Sequence, residues 1–576
     1  MPQKTIKQEK GTGNIWKHIA PLNLWDAEVP DTCQLSSGKP CSACMELAMF
    51  DAQDKTLDQD AGLIDARHQL LRNVNDRHDP FSHYLPFELA SEIFTIYYND
   101  TGYRDCVKSR DISTHSKTSS LPLASVSVAW REIIFNIPSL WSSLQIAYHP
   151  SLFTQSNIIA QWLGRARTRP LFIRMVFPEN YEHHKHAQRS VAPFFDIIRR
   201  YSDQWKFLNL SMPSKLCKIF LAKSLLETPL LETLQLDITN VKFVDNSLIV
   251  NLITPRLTSL TTNQLWFQMI EVDYFNILSV EHTFVSLDQI FELLMHSPCL
   301  RECSFKDICD DSSVHPIPAH FVHPSIHTLT LYPTDHMEND DLSTFFQRLT
   351  FPSLNKVHYN FHGSMPLPLD IHIFADFLGR SERGITFFCL TNIKFHCLPP
   401  ESVVAILRHL PSLFELHLGC SEYEDTEFKL PLTFFGHLDG CTRIFPAPFL
   451  PNLQVLVYRA SSPTHHMWKH FDDALLYLAR TLEYSTIYNY PSRPLRKVQF
   501  TLNYNNFHGT HQDVDLTSSR AFDILSKVKK TGFNIKVTEE ILRRDGSQDE
   551  LDLIQHFVST RFSVFDNFPV HWFDKI

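Results

Sequence analysis

The feature that most restricts the fold is a six-residue template, L-x-x-L-x-L with apolar substitutions, that recurs ten times. It reads "WKFLNL" from Trp205, "LETLQL" from Leu231, "LTSLTT" from Leu257, "LRECSF" from Leu300 and "IHTLTL" from Ile326. It continues as "LNKVHY" from Leu354, "ITFFCL" from Ile385, "LFELHL" from Leu413, "LQVLVY" from Leu453 and "LRKVQF" from Leu495. Successive copies start 26, 26, 43, 26, 28, 31, 28, 40 and 42 residues apart. Most follow a proline by one or two positions, as in "TPLLETL", "HPSIHTL" and "LPSLFEL". On a strand, alternation sends the template's apolar residues to one side and their neighbours to the other. Between copies lie runs with helical spacing, such as "LDQIFELLMHS" and "ESVVAILRHL". A helix–strand unit of this period cannot bury its apolar face alone, whereas stacked units can. The expectation for residues 150–540 is therefore an α/β solenoid with a parallel sheet; ten unrelated strands matching by accident are the alternative. The third copy lacks its last apolar residue, and the long gaps imply insertions.

The chain has 576 residues, too long for one ordinary compact core. A hydrophobic content of 43% with 44 Phe is a folding composition, and 15 Gly leave little material for glycine-built phosphate loops. The net charge is −10 and no long Lys/Arg run occurs, so the basic stripe that nucleic acid requires is missing. No apolar run reaches transmembrane length, and "MPQKTIKQEKGTGNIWKHIA" has no apolar core of a signal peptide. Neither nucleic acid nor membrane is expected as a partner. Twelve Cys without a disulfide-like framework point to a reducing compartment, cytoplasmic and/or nuclear.

The N-terminal quarter has a different pattern. Residues 1–53 are polar and irregular, and are expected to be poorly ordered. Leu57, Ile64 and Leu71 recur at seven, which predicts an amphipathic helix over 54–78. In "HYLPFELASEIFTIYY", Pro86 suits a first helical turn and Glu88 its positive end, while Leu85, Leu89, Ile93 and Tyr97 share a face. Residues 99–120 are a polar insertion. Leu123, Val126, Trp130, Ile133 and Ile137 then follow at helical spacing until Pro138 stops the helix, with Trp141 and Leu144 anchoring an extended exit. These elements make a small all-α module over 79–146, and residues 541–576 form a C-terminal tail.

"LPFELASEIF" followed by "LPLASVSVAWREIIFNIPSLWSSLQI" resembles the F-box-like domain common in fungal proteins of the F-box and leucine-rich-repeat type. The matching residues are Leu85, Pro86, Glu88, Leu89, Ile93, Phe94, Val126, Ser127, Trp130, Arg131, Pro138, Leu140 and Trp141. The insertion at 99–120 is longer than a compact F-box carries, and the repeats lack a regular Asn/Cys ladder. The resemblance implies an F-box-like module followed by an irregular leucine-rich-repeat horseshoe. It implies a substrate receptor of an SKP/cullin/F-box ubiquitin ligase, docking an SKP-type adaptor, and through it cullin, by Leu85, Pro86, Glu88, Leu89, Ile93, Phe94, Val126, Trp130 and Trp141. The alternative is a non-catalytic repeat scaffold whose degenerate F-box docks nothing.

Catalytic chemistry finds no foothold. Cys33, Cys41 and Cys44 form half of a zinc site without a second Cys-x-x-Cys. His183, His184 and His186, like His465 and His466, lack a His-Glu-x-x-His helix. No Walker motif, dinucleotide fingerprint or Gly-x-Ser-x-Gly elbow is present. No enzyme activity, cofactor or metal is expected. The remaining candidates are the outward template positions: Gln235 and Asp237, Glu302 and Ser304, Lys356 and His358, Glu415 and His417, Val457 and Arg459, and Lys497 and Gln499. They line the sheet face either as a surface for a protein substrate or as plain solvated strand.

Overall fold

The computed structural model describes residues 41–53, 61–78, 85–100, 120–148, 156–179, 187–221, 225–239, 249–309, 319–334, 339–360, 370–381, 384–393, 398–420, 429–440, 449–461, 468–486, 495–505, 519–542 and 548–555. The chain divides into two compact units, one of Met1–Ser211 with Thr228–Leu230, the other of Met212–Glu227 with Leu231–Ile576. The division falls well beyond residue 150, because the first strands pack with the helical module.

In the first unit, α1 (Ser42–Gln53) packs on α2 (Ala61–His78), with Arg67 Nε 2.9 Å from Asp51 Oδ1. The helix α1 corrects the expectation of a loose segment up to residue 53. It escapes periodicity because its apolar residues are scattered: Ala43, Cys44 and Leu47 are buried, but Met45 and Met49 are exposed. Next come α3 (Phe87–Asp100), α4 (Ser120–Ala124) and α5 (Val128–Phe135). The helical stripe expected from Leu123 to Ile137 is thus two helices. Ser127 separates them, its Oγ accepting from the Trp130 N–H at 3.1 Å as an N-cap. A 3-10 turn at Pro138–Trp141 leads into β1 (Ser143–Ala147). After α6 (Ser156–Ala166) come β2 (Leu171–Val176), α7 (Ala187–Arg199) and β3 (Trp205–Pro213). Strands β1, β2 and β3 are parallel neighbours, and α6 packs on both the 3-10 turn and α7.

The second unit repeats one operation. Strands β5 (Thr233–Thr239), β7 (Ser259–Asn263), β9 (Ser279–Ser286), β10 (Glu302–Cys309) and β12 (Thr328–Pro333) each pair in parallel with the next. So do β14 (Lys356–Asn360), β15 (Phe387–Ile393), β16 (Glu415–Cys420), β17 (Val455–Ser461), β18 (Lys497–Asn505) and β19 (Asn534–Leu542). Among the described strands of this unit only β20 (Gln548–Asp552) runs antiparallel, against β19, and it places a strand in the expected tail. Early returns use α8 (Ser214–Leu221) and the two- to four-residue strands β4 (Leu226–Glu227), β6 (Val250–Ile253) and β8 (Ile270–Glu271), which pair in parallel. Later returns use β11 (Phe321–Val322) paired with β13 (Leu349–Thr350), and a row of helices. These are α9 (Leu287–His296), α10 (Asn339–Arg348), α11 (Ile371–Gly379), α12 (Pro400–Arg408), α13 (Lys429–Gly440), α14 (Trp468–Thr486) and α15 (Arg520–Lys530), each packed on the next. The architecture is α/β with a long parallel ladder.

The template's first, fourth and sixth residues are the core. Leu231, Leu234 and Leu236 are buried, as are Leu300, Cys303 and Phe305, and Leu413, Leu416 and Leu418. The 43-residue gap hides a further copy on β9, with Ile277 and Val280 buried and His282 at the sixth position. His282 Nδ1 lies 2.6 Å from Thr262 Oγ1, the residue that breaks the third copy on the neighbouring strand β7. The bond pairs the Thr262 hydroxyl with one ring nitrogen of His282 inside the ladder.

Four strands share a second device. Gln264, Phe284, Asp307 and Asn392 all stand eighth from the template's start, and all have positive φ, from 49° to 62°. Alternation would send the eighth residue inward. The left-handed turn instead delivers the ninth, and Leu265, Val285, Ile308 and Ile393 are all buried. A β-branched residue fits this conformation badly, at roughly 1–2 kcal/mol. Gln264→Val is therefore expected to lower the urea midpoint with an unchanged m-value, and Gln264→Gly to hold or raise it. Equal effects from both would remove the conformational explanation.

Candidate interaction surfaces

The α3 helix is apolar on two sides. Ala90, Phe94 and Tyr98, four apart, are buried. On the adjoining side Leu89 (49% exposed), Ile93 (40%), Ile96 (52%) and Tyr97 (52%) face outward; Phe87 (47%) is exposed at the start of the helix, in line with Phe94 and Tyr98. Pro86 and Glu88 are exposed at the start of the helix, and Leu85 is half-buried. Val126 and Val128 are exposed nearby in sequence, and Trp130 is half-buried. The expected docking residues thus divide. Leu85, Pro86, Glu88, Leu89, Ile93, Val126 and part of Trp130 reach the surface, whereas Phe94 and Trp141 are interior. Spacing alone missed Ile96, which extends the outward stripe.

The interior residues hold this face rigid. Phe94 packs on Trp130 with ring centroids 4.8 Å apart. Arg131 Nε donates to the Ala124 carbonyl at 3.0 Å, tying α5 back to α4. Trp141 donates its indole N–H at 2.8 Å to the Ile134 carbonyl, which also accepts from the Ile137 N–H at 3.1 Å just past the end of α5. Its ring meets Phe135 at 5.3 Å and Trp162 at 4.7 Å, while the Arg165 guanidinium sits 3.9 Å from the Phe135 centroid. Burial lowers the Arg165 pKa from its ordinary value.

On the ladder of the second unit, the outward residues align across strands. One row runs Glu302, Thr328, Lys356, Phe387, Glu415, Val455, Lys497. The next runs Ser304, Thr330, His358, Cys389, His417, Val457, Gln499. Glu302, Lys356 and Arg459 are exposed; Gln235, Asp237, Ser304, His358, Glu415, His417, Lys497 and Gln499 are half-buried. Val457, expected to be outward, is 7% exposed and joins the covered surface. Asn263 donates to Asp237 at 2.7 Å, and Lys306 bonds Glu281 at 2.6 Å while lying 5.7 Å from the Tyr332 ring. Phe387 stacks between His358 (4.7 Å) and His417 (5.0 Å), and His417 Nε2 meets Glu415 Oε1 at 2.7 Å. Burial lowers the His358 pKa, and the charges of His417 and Lys356 lower it further. Burial pushes the Cys389 thiol up to about 11, with Arg459 opposing and Glu415 adding. Cys389 is therefore a neutral thiol, not a nucleophile.

No family model and no curated protein matches the chain. Cys41 and Cys44 lie at the start of α1, where the Cys44 N–H approaches Cys41 Sγ at 3.5 Å. Among the described residues no group of three His, Cys, Asp or Glu is arranged to hold a metal, and no helix is long and apolar enough to cross a membrane. Cys33, His183, His184, His186, His465 and His466 lie outside the described residues, as does the insertion beyond Asp100 up to Thr118 and Ser119. Asn99 and Asp100 themselves complete α3.

Proposed function

We propose that the chain is a substrate-receptor subunit of an SKP/cullin/F-box ubiquitin ligase. The module around α3 is then the F-box, and the parallel ladder is an irregular leucine-rich-repeat solenoid that binds the protein substrate. The observation that supports this most is the outward stripe of Leu89, Ile93, Ile96 and Tyr97 on a helix whose neighbouring side is already buried. Contiguous exposed apolar residues on a rigid base are a protein-contact feature, since each fully buried one contributes about 1.5–3 kcal/mol. Catalysis belongs to the partner enzymes. The receptor's role is tethering, which raises the effective concentration of a substrate lysine at the ubiquitin-loaded enzyme.

The test is co-expression with an SKP-type adaptor. Leu89→Glu with Ile93→Glu places two charges in the stripe without touching Phe94 or Trp141. Adaptor affinity is expected to fall at least about 100-fold, because interface energy concentrates in a few anchors. Helical circular dichroism should not change. Full retention by the double variant would reject this face. An unmodified chain that retains no adaptor would favour the repeat scaffold with a degenerate F-box.

A further inference from the structure

We infer that the sheet face over β14–β18 docks an extended, carboxylate-rich peptide segment that carries an aromatic side chain. This rests on the reading of the ladder's outward face as the substrate surface and gives that substrate a chemistry. The two halves of the face differ in charge. Over β5–β10 the outward charges are Asp237, Glu281 and Glu302, with Lys306 bound to Glu281. Over β14–β18 they are Lys356, Arg459 and Lys497, and none of these three has an ion-pair partner among the described residues. The one acid in that half, Glu415, accepts from His417. In a chain of net charge −10, three unpaired cations on one face are not a product of composition. They attract a partner of opposite sign and repel basic ones.

Geometry gives the length. Lys356 and Lys497 stand in one register row, separated by Phe387, Glu415 and Val455. Four strand spacings put them roughly 19 Å apart, a span that an extended peptide covers in about six residues. The Phe387 ring, framed by His358 and His417, lies along that path and offers a stacking surface. Arg459 stands opposite Gly419 in register. Gly419 has no side chain to cover the guanidinium, and its backbone sits so close to Thr391 that a Cβ would lie 3.3 Å from Thr391 Cγ2. The Arg459 fork is thereby left open for a bidentate carboxylate.

The test uses the full chain and a fluorescent random copolymer of glutamate and tyrosine, followed by polarisation. Lys356→Glu, Arg459→Glu and Lys497→Glu together are compared with Lys218→Glu, Arg520→Glu and Lys530→Glu, an equal charge change on exposed helical positions. Affinity is expected to fall by about tenfold or more for the first set and to hold within about twofold for the second. Phe387→Ala should bring the glutamate–tyrosine copolymer down to the affinity of a glutamate–alanine one. Equal losses in both sets, no binding by the unmodified chain, or binding only of a tyrosine-phosphorylated copolymer would each overturn the inference. No adaptor enters this assay. Failure here with intact adaptor capture removes the acidic-peptide site and leaves the receptor function; the converse removes the receptor function and leaves the site.

Discussion

Trp141→Ala is expected to destabilise the first unit by ~3–5 kcal/mol, the range for removing a large aromatic side chain from a packed interior. Trp141 is 1% exposed and fills the space between Phe135 and Trp162. The substitution also removes the indole donor to the Ile134 carbonyl, which keeps its backbone bond from the Ile137 N–H at 3.1 Å. Trp141→Phe keeps most of the ring and loses only the donor, so it should cost distinctly less. Thermal melts followed by circular dichroism separate the two. If both variants melt within a degree or two of the unmodified chain, Trp141 is not the centre of that core. Adaptor capture should fail in Trp141→Ala for a different reason than in the α3 double variant, since the base of the face has moved.

Acidification should loosen β7 and β9 before the rest of the ladder. His282 is fully buried, and burial pulls its pKa from 6.5 down to about 4, with the Leu265 carbonyl opposing weakly. The folded chain therefore holds His282 neutral while the unfolded chain begins to protonate near its ordinary value. Stability is complete above about pH 6.5 and falls as the pH drops towards 4. The total is about 3 kcal/mol, at roughly 1.4 kcal/mol per pH unit. Amide exchange over Ser259–Asn263 and Ser279–Ser286 should accelerate across that window in the unmodified chain. In Thr262→Val with His282→Leu, which restores apolar residues at both sixth positions, the acceleration should disappear. The same acid sensitivity in the double variant would place its origin elsewhere.

The ladder was legible because its signal is repeated. Ten template copies locate strands β3, β5, β7, β10, β12, β14, β15, β16, β17 and β18, each of which begins inside its copy. What escaped did so for local reasons. The copy from Ile277 is masked by a histidine where the template wants leucine, and only the facing Thr262 makes that histidine tolerable. Strand β2 is written "LFIRMV" without a leading apolar residue three places earlier. The split between α4 and α5 is invisible to periodicity because Leu123, Val126 and Trp130 keep helical spacing across it; the cap at Ser127 was the available clue. On the candidate surfaces, register placed the expected positions in two rows across the strands, with Val457 covered, but charge pairing could not be read from spacing. That Lys306 is spoken for by Glu281 while Lys356 is not depends on which strands are neighbours.

The reversed strand β20 has a consequence for how far such a ladder can propagate. A parallel strand at the end of a repeat array offers a line of unpaired amides and carbonyls, which any strand of the same pitch can extend. Were β19 that last strand, one molecule could template the next, and the array would grow as a polymer. Instead β19 is covered by "QDELD", which runs the opposite way and is tied to α15 by Lys529 and Asp552 at 2.9 Å. The new margin is only five residues long and carries Asp549, Glu550 and Asp552. A short strand of acidic sequence disfavours edge-to-edge pairing with its like, so charge rather than a lack of hydrogen-bonding groups limits growth from such a margin.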